Sequence, residues 1–129
     1  MTQENKQIVR NFYEAANTRD SKALAELLDE NIEIYQSEVL PWGGKYQGHQ
    51  GFMSYAFKML GMINSQAVIE QFIEAGDQVV AIGKTQGEVN SNSKKFEIRL
   101  AHVWTIKNEK LSRFEVYVDA PEMLRMLDE

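Results

Sequence analysis

The segment from Phe96 to Ile106 alternates between apolar and polar residues with a period of two. Successive side chains on a β-strand point to opposite faces, so this period predicts a strand with one buried face. One face carries large apolar side chains together with His102, whereas the other face carries charged or small residues. We therefore expect His102 to point into the interior of the protein.

The size and composition are those of one globular domain over residues 1–129. Apolar residues make up 43% and charged residues 26% of the chain, a globular balance that argues against disorder. The net charge of −5, without a Lys/Arg cluster, argues against nucleic acid or an anionic membrane as a partner. The absence of cysteine excludes a disulfide scaffold and a thiolate nucleophile. A polar N-terminus and the lack of a long apolar run predict a cytoplasmic protein.

Helical spacing of apolar residues predicts three helices in the first half of the chain and a short one at its end. The first extends from about Thr2 to Thr18 and the second starts after an N-cap at Asp20 or Ser21. The third, from about Gln50 to Met62, is apolar nearly all round, so we expect it to be buried on more than one side. The last begins at a capping box in Asp119–Glu122.

Period-two patterns and turn residues predict five strands, four of them in one antiparallel meander. Helices first and an antiparallel sheet afterwards predict an α+β fold with the helices on one side of the sheet. The glycines and proline of Leu40–Gly48 predict a loop. The predicted strands are 32–36, 65–75, 78–89, 95–107 and 110–118.

One face of the predicted strand 78–89 carries only small side chains, at Ala81, Gly83, Thr85 and Gly87. If this face looks inward, it leaves room for a cavity beneath the helices. Glycine in a strand also marks bulges and curvature, so both interpretations stay open.

Three local patterns carry a family resemblance. They are Asn17–Asp20 before Leu27–Asn31, then Pro41–Gly48, then His102–Trp104 followed by Tyr117–Asp119. Over essentially all 129 residues the chain resembles the superfamily of nuclear transport factor two, ketosteroid isomerase and the SnoaL-like polyketide cyclases. It is most similar to the SnoaL-like, ketosteroid-isomerase-related branch.

The resemblance implies a cone-shaped α+β fold. In it, a curved, mostly antiparallel sheet is wrapped by three helices from the N-terminal half, with a short C-terminal helix. It also implies a pocket for a small apolar molecule and a homodimer formed through the sheet.

The family's catalytic residues do not carry over. The isomerase's tyrosine, carboxylate base and protonated aspartate match Phe12, Gln36 and His102 in this chain. Gln36 is not a base, because an amide does not accept a proton near neutral pH. The Arg and two Asp of the limonene-epoxide-hydrolase-like members match Gly83, Thr85 and Val116. The acidic residue of the cyclases falls near Val116 as well.

His102 and Gln36 remain the candidate catalytic residues. In one interpretation His102 shuttles a proton on an apolar carbonyl compound that Gln36 orients, as in an isomerase, cyclase or dehydratase. In the other it is a core histidine that hydrogen-bonds Gln36 or a backbone carbonyl. The expected ligand contacts are Phe12, Trp42, Tyr46, Phe52, Tyr55, Met59, Thr85, Leu100, Trp104, Phe114, Val116 and Val118.

Several alternatives stay open. Trp42 and Tyr46 either close the pocket mouth or fix the loop to the core. Asp119 is either a site residue or the N-cap of the last helix. No cofactor or metal is expected, because His49 is the only other histidine and begins a helix. The rival functions are a non-catalytic ligand-binding domain and a protein-interaction domain that uses the exposed sheet face.

Overall fold

A computed structural model describes residues 4–128 and shows a mixed α+β domain. The helices are α1 (Asn5–Asn17), α2 (Ser21–Leu27), α3 (Gly48–Leu60) and α4 (Ala120–Leu127). The strands are β1 (Leu28–Gln36), β2 (Gly44–Gln47), β3 (Ile63–Ala75), β4 (Gln78–Val89), β5 (Lys95–Lys107) and β6 (Lys110–Val118).

The strands form one sheet in the order β2-β1-β6-β5-β4-β3. Strands β1 and β6 are parallel, and every other neighbouring pair is antiparallel. Helices α1 and α3 pack against the sheet, while α2 packs against α1. The predicted α+β fold is confirmed, with three helices from the N-terminal half on a mostly antiparallel sheet.

The predicted inward face of β5 is confirmed. Its alternate side chains, from Phe96 to Ile106, are each at most 7% exposed, and His102 is among them. The same face continues into β6 through Phe114 and Val116 and into β1 through Gln36, which is 2% exposed. His102 and Gln36 therefore belong to one buried surface.

The small-residue face of β4 also looks inward, but its glycines leave no room for a side chain. A Cβ on Gly83 would lie 2.0 Å from the Val68 carbonyl oxygen, and one on Gly87 equally far from that of Asn64. The register between β3 and β4 also shifts after Ile69. These glycines therefore permit close approach and curvature at this edge of the sheet.

Some predicted boundaries move. The predicted loop Leu40–Gly48 contains β2, whose Tyr46 pairs with Ile34 of β1. Strand β1 also begins earlier than predicted, at Leu28. Helix α1 begins at Asn5 among the described residues, and the predicted start at Thr2 lies outside them.

The prediction that α3 is buried on several sides is wrong. Tyr55 is its only fully buried residue, whereas Met53 and Phe57 are 59% and 78% exposed. The apolar side chains of α3 instead border a cavity that opens to solvent. None of the helices within the described chain is long and apolar enough to cross a bilayer, and the cytoplasmic location stays a prediction.

Candidate functional site

A cavity of about 550 Å³ lies between the inner face of the sheet and helices α1, α2 and α3. Its volume is in the range that holds a small organic ligand. Most of the residues on its wall are apolar. The predicted site residues that lie on this wall are Phe12, Gln36, Trp42, Phe52, Tyr55, Met59, Thr85, Leu100, His102, Phe114, Val116 and Val118.

Two predicted ligand contacts, Trp104 and Tyr46, lie off this wall. Trp104 is fully buried, and its ring stacks on Phe114 with a centroid distance of 4.0 Å. Tyr46 stands beside Tyr55, and its hydroxyl donates to the Trp42 carbonyl at 3.0 Å. Tyr46 therefore fixes the loop to the core, which decides between the two interpretations given for it.

A chain of two hydrogen bonds, from Trp104 through Tyr13, holds the His102 ring at Nδ1. The Trp104 Nε1–H donates to the Tyr13 hydroxyl oxygen at 2.9 Å, and that hydroxyl lies 2.6 Å from His102 Nδ1. An indole nitrogen only donates, so the phenol oxygen is the acceptor in the first bond. The phenol hydrogen has no other acceptor among the described residues, so the hydroxyl donates it to Nδ1. The expectation that a core His102 hydrogen-bonds Gln36 or a backbone carbonyl is therefore wrong, because its partner is Tyr13.

The hydrogen-bond donor at Tyr13 favours one tautomer of His102. A neutral imidazole that accepts at Nδ1 carries its hydrogen on Nε2. Nε2 has no hydrogen-bond partner within residues 4–128. Because no fully buried polar side-chain atom in this range lacks a partner, Nε2 is not fully buried. Because His102 lies on the cavity wall, its Nε2–H is directed at the cavity as a donor.

Burial keeps His102 neutral. Removal of the ring from water penalises the imidazolium and lowers the pKa of His102 to about 3. Burial also raises the pKa of Tyr13 far above its ordinary value, so the phenol keeps its hydrogen. At neutral pH the pair therefore carries no charge and serves as a hydrogen-bond relay.

Gln36 is oriented in the same manner. Its Oε1 accepts from the Trp42 Nε1–H at 3.1 Å and from the Tyr55 hydroxyl at 2.6 Å. Because the indole N–H only donates, the amide atom that faces it is the oxygen Oε1 and not the nitrogen Nε2. The amide nitrogen has no hydrogen-bond partner among the described side chains. It is also not fully buried, because no fully buried polar side-chain atom there lacks a partner. Gln36 thus also offers N–H groups to the cavity.

The two donors stand in one row across the sheet. His102 pairs with Val116, and Val116 pairs with Gln36 on the far side. Two interstrand spacings place the Cα atoms of His102 and Gln36 about 10 Å apart. The floor of the cavity is therefore apolar at its centre, with a donor on each side.

Tyr13 is the functional residue that sequence comparison missed. The family match placed Phe12, the residue before Tyr13, at the position of the isomerase's tyrosine. Both side chains are buried, so apolar spacing along α1 does not distinguish them. A polar hydroxyl on the buried face of α1 was the available signal, since buried phenols usually need a partner.

The mouth of the cavity is marked by those wall residues that reach solvent. Met53 and Phe57 of α3 form an apolar side, whereas Asn17, Arg19 and Gln66 form a polar side. Arg19 is the single charged residue on the wall among residues 4–128.

Acidic groups stay away from the cavity. Asp119 accepts from the Glu122 N–H at 3.1 Å and is the N-cap of α4. Glu38 is exposed, and Glu70 pairs with Arg99 at 2.7 Å. The described residues contain no group of three potential metal ligands.

The sequence and fold are similar to those of known proteins. A SnoaL-like domain profile matches residues 9–114. An NTF2-like protein of unknown function from Burkholderia pseudomallei is 26% identical, over 97% of this chain and 98% of that chain, with a TM-score of 0.90. An NTF2-like protein from Burkholderia xenovorans is 27% identical, over 99% and 98% of the two chains, with a TM-score of 0.87.

A protein with a ketosteroid isomerase-like fold from Catenulispora acidiphila, in complex with trimethylamine, shows the same fold at 19% identity. The match covers 91% of this chain and 86% of that chain, with a TM-score of 0.74. No curated protein matches the sequence. The profile match covers most of the chain, and the chain therefore belongs to the SnoaL-like domain family, within the NTF2-like superfamily.

Proposed function

We propose that this protein binds an apolar carbonyl compound in the cavity, with the carbonyl oxygen accepting a hydrogen bond from His102 Nε2–H. The observation that carries the proposal is the chain from Trp104 through Tyr13 to His102, which makes Nε2 a donor directed at an apolar space. The Gln36 amide supplies a second donor that orients the ligand.

The same contact supports chemistry at the carbonyl group. A hydrogen bond to a carbonyl oxygen stabilises the negative charge that develops there when the compound enolises, and a low-dielectric site strengthens it. Isomerases, cyclases and dehydratases that act beside a carbonyl all pass through such a state. His102 would act as a neutral donor in this reaction, since its low pKa makes it a poor base.

A non-catalytic ligand-binding domain is the second candidate. No Asp or Glu among residues 4–128 lies on the cavity wall, so no carboxylate there takes a proton from the ligand. A proton acceptor would then have to be water or a group of the ligand itself. This feature favours binding without rapid turnover.

Binding is tested with a pair of probes that differ only at the acceptor. In 2-acetonaphthone the carbonyl oxygen accepts a hydrogen bond, whereas 2-isopropenylnaphthalene has a methylene in its place. One buried hydrogen bond contributes about 1 kcal/mol, so the wild type should prefer the ketone by about fivefold. His102→Leu should lose the preference, and Thr85→Val, on the same wall, should keep it. An equal affinity of the wild type for both probes would sink the proposal.

Turnover is tested with the same ketone in heavy water. Enolisation exchanges the acetyl hydrogens for deuterium, which proton NMR follows directly. Exchange faster than in buffer, and lost in His102→Leu, indicates an enzyme. Binding of the ketone with exchange at the buffer rate indicates a binding domain.

We also propose that the outer face of the sheet forms a homodimer. The outward row Ile82, Ala101 and Tyr117 is continuous across three strands, and charged residues such as Arg99 flank it. A central uncharged row flanked by charged residues is typical of an interface between two copies of a chain. Sedimentation velocity should give a dimer for the wild type and a monomer for Ala101→Arg. A monomeric wild type would exclude this assembly.

A further inference from the structure

Arg19 occupies a backbone position that normally favours glycine. Helix α1 ends in a double hydrogen-bond turn in which Arg19 N–H donates to the Ala16 carbonyl at 3.2 Å and Asp20 N–H donates to that of Ala15 at 2.9 Å. This arrangement is a Schellman motif, and its left-handed residue is usually Gly. Arg19 has a φ of 57° there. A residue with a Cβ is disfavoured in this conformation.

The side chain of Arg19 has a distinct setting. It lies at the mouth of the cavity, where the wall is otherwise uncharged. Arg19 also lines a second groove, which carries Glu88, Lys95 and Glu97, but its guanidinium forms no ion pair within the described part of the chain. Glu97 in that groove pairs with Lys84 at 2.9 Å. The cation is thus available to a ligand that enters the cavity.

A purely structural role explains these facts less well. A cation near the C-terminus of α1 interacts favourably with the helix dipole, but any position in the last turn provides that without left-handed strain. Ser93, Asn108 and Glu109 are also left-handed at exposed positions, and Arg19 differs from them because it lies on the cavity wall. At this position the sequence carries a charged side chain where glycine would be less strained.

We infer that the ligand of the cavity is an organic anion, whose apolar body lies in the cavity and whose negative group pairs with Arg19 at the mouth. The inference rests on the proposed function in that a hydrogen-bond acceptor of the same molecule reaches His102 at the closed end. The ligand class is therefore an elongated apolar carbonyl compound with a carboxylate or similar anion at its far end. The guanidinium is well suited to a planar carboxylate, which it binds through two parallel N–H groups.

The test uses 6-acetyl-2-naphthoic acid and its methyl ester, which share the ketone and the rings and differ in charge. An ion pair at a solvent-exposed mouth gives about a two- to fivefold preference for the acid over the ester in the wild type. Arg19→Gly and Arg19→Gln should abolish the preference, and Arg19→Lys should retain part of it. Lys22→Gln removes the same charge from a nearby exposed site off the cavity wall and should leave the preference unchanged.

Thermal denaturation supplies the second readout. Because glycine fits the left-handed position, the midpoint of Arg19→Gly should rise by about 3 °C while the preference for the acid disappears. A preference for the acid that survives in Arg19→Gly, or is absent in the wild type, overturns the inference. If the ester binds but the acid gains nothing, the cavity proposal stands without the anion. If neither compound binds, both proposals fail.

Discussion

The Tyr13 hydroxyl lies 2.6 Å from His102 Nδ1, joining helix α1 to strand β5 across 89 positions of the sequence. This contact leaves the other ring nitrogen, Nε2, for the cavity. Tyr13 of α1 thereby sets whether Nε2 of His102 on β5 donates or accepts a hydrogen bond. A histidine on the same strand without Tyr13 would be free to adopt either tautomer.

Tyr13→Phe should destabilise the fold and weaken ketone binding together. The change removes the acceptor of the Trp104 N–H and the donor to His102, and an unpaired buried polar group costs about 1–3 kcal/mol. Urea denaturation measures the loss of stability, and the 2-acetonaphthone titration measures the loss of the ketone preference. Tyr117→Phe is the control, because Tyr117 is 45% exposed. An unchanged ketone preference in Tyr13→Phe would separate Tyr13 from ligand recognition.

Stability should fall between pH 7 and pH 5 because of His102. Its pKa is about 3 in the folded protein against 6.5 in its ordinary state, so the unfolded chain binds more protons in this interval. The contribution of neutral His102 to the free energy of unfolding is present above pH 6.5 and is lost as the pH falls toward 3. About 2 kcal/mol of it is lost by pH 5. Urea denaturation at both pH values measures it. His102→Leu, which retains His49, should lose about 2 kcal/mol less over the same interval, and an equal loss would refute the shift.

Gln36→Glu should convert the cavity into a better catalyst of enolisation. A glutamate keeps an oxygen for the Trp42 and Tyr55 donors and adds a base across the cavity floor from the His102 donor. A positioned base contributes about 100-fold or more, which deuterium exchange into 2-acetonaphthone would reveal. Gln36→Leu is the matched control and should be less stable with no gain in exchange. Exchange at the wild-type rate in Gln36→Glu would mean that a bound ketone does not reach this position.

Gly83→Ala should be much more destabilising than Gly76→Ala. The new Cβ at position 83 would collide with the Val68 carbonyl, whereas nothing lies within 4 Å of one at position 76. We expect a loss of about 3 kcal/mol for Gly83→Ala, as in overpacked cores. For Gly76→Ala we expect about 1 kcal/mol, because its φ of 64° is left-handed. Equal losses in denaturation would remove the role assigned to Gly83.

The fold was predictable from sequence because its main signals are local. Alternation in β5 identified the buried face, and strands 95–107 and 110–118 were placed with the observed bounds. The short strand β2 was not, because its four residues pair only through β1 and look like a glycine-rich loop. Burial of α3 was overestimated, since apolar composition does not distinguish a core from the border of a cavity.

The candidate site was predictable in its residues but not in its hydrogen bonds. Strand period placed His102 on the inward face, and the family resemblance placed Gln36 and His102 at two catalytic positions of the isomerase. Their partners Tyr13 and Tyr55 come from two different helices, and a contact between distant elements leaves no period in the sequence. Arg19 was missed because its significance depends on a backbone conformation and on the location of the cavity mouth.

The nitrogen NMR spectrum of the His102 ring tests most directly whether this residue is a neutral donor. At pH 7 the wild type should show Nε2 bonded to hydrogen and Nδ1 free of it, and addition of 2-acetonaphthone should shift mainly the Nε2 signal. Tyr13→Phe should show a mixture of both tautomers. A hydrogen on Nδ1, or on both nitrogens at pH 7, would contradict the assignment of His102 as the carbonyl's hydrogen-bond donor.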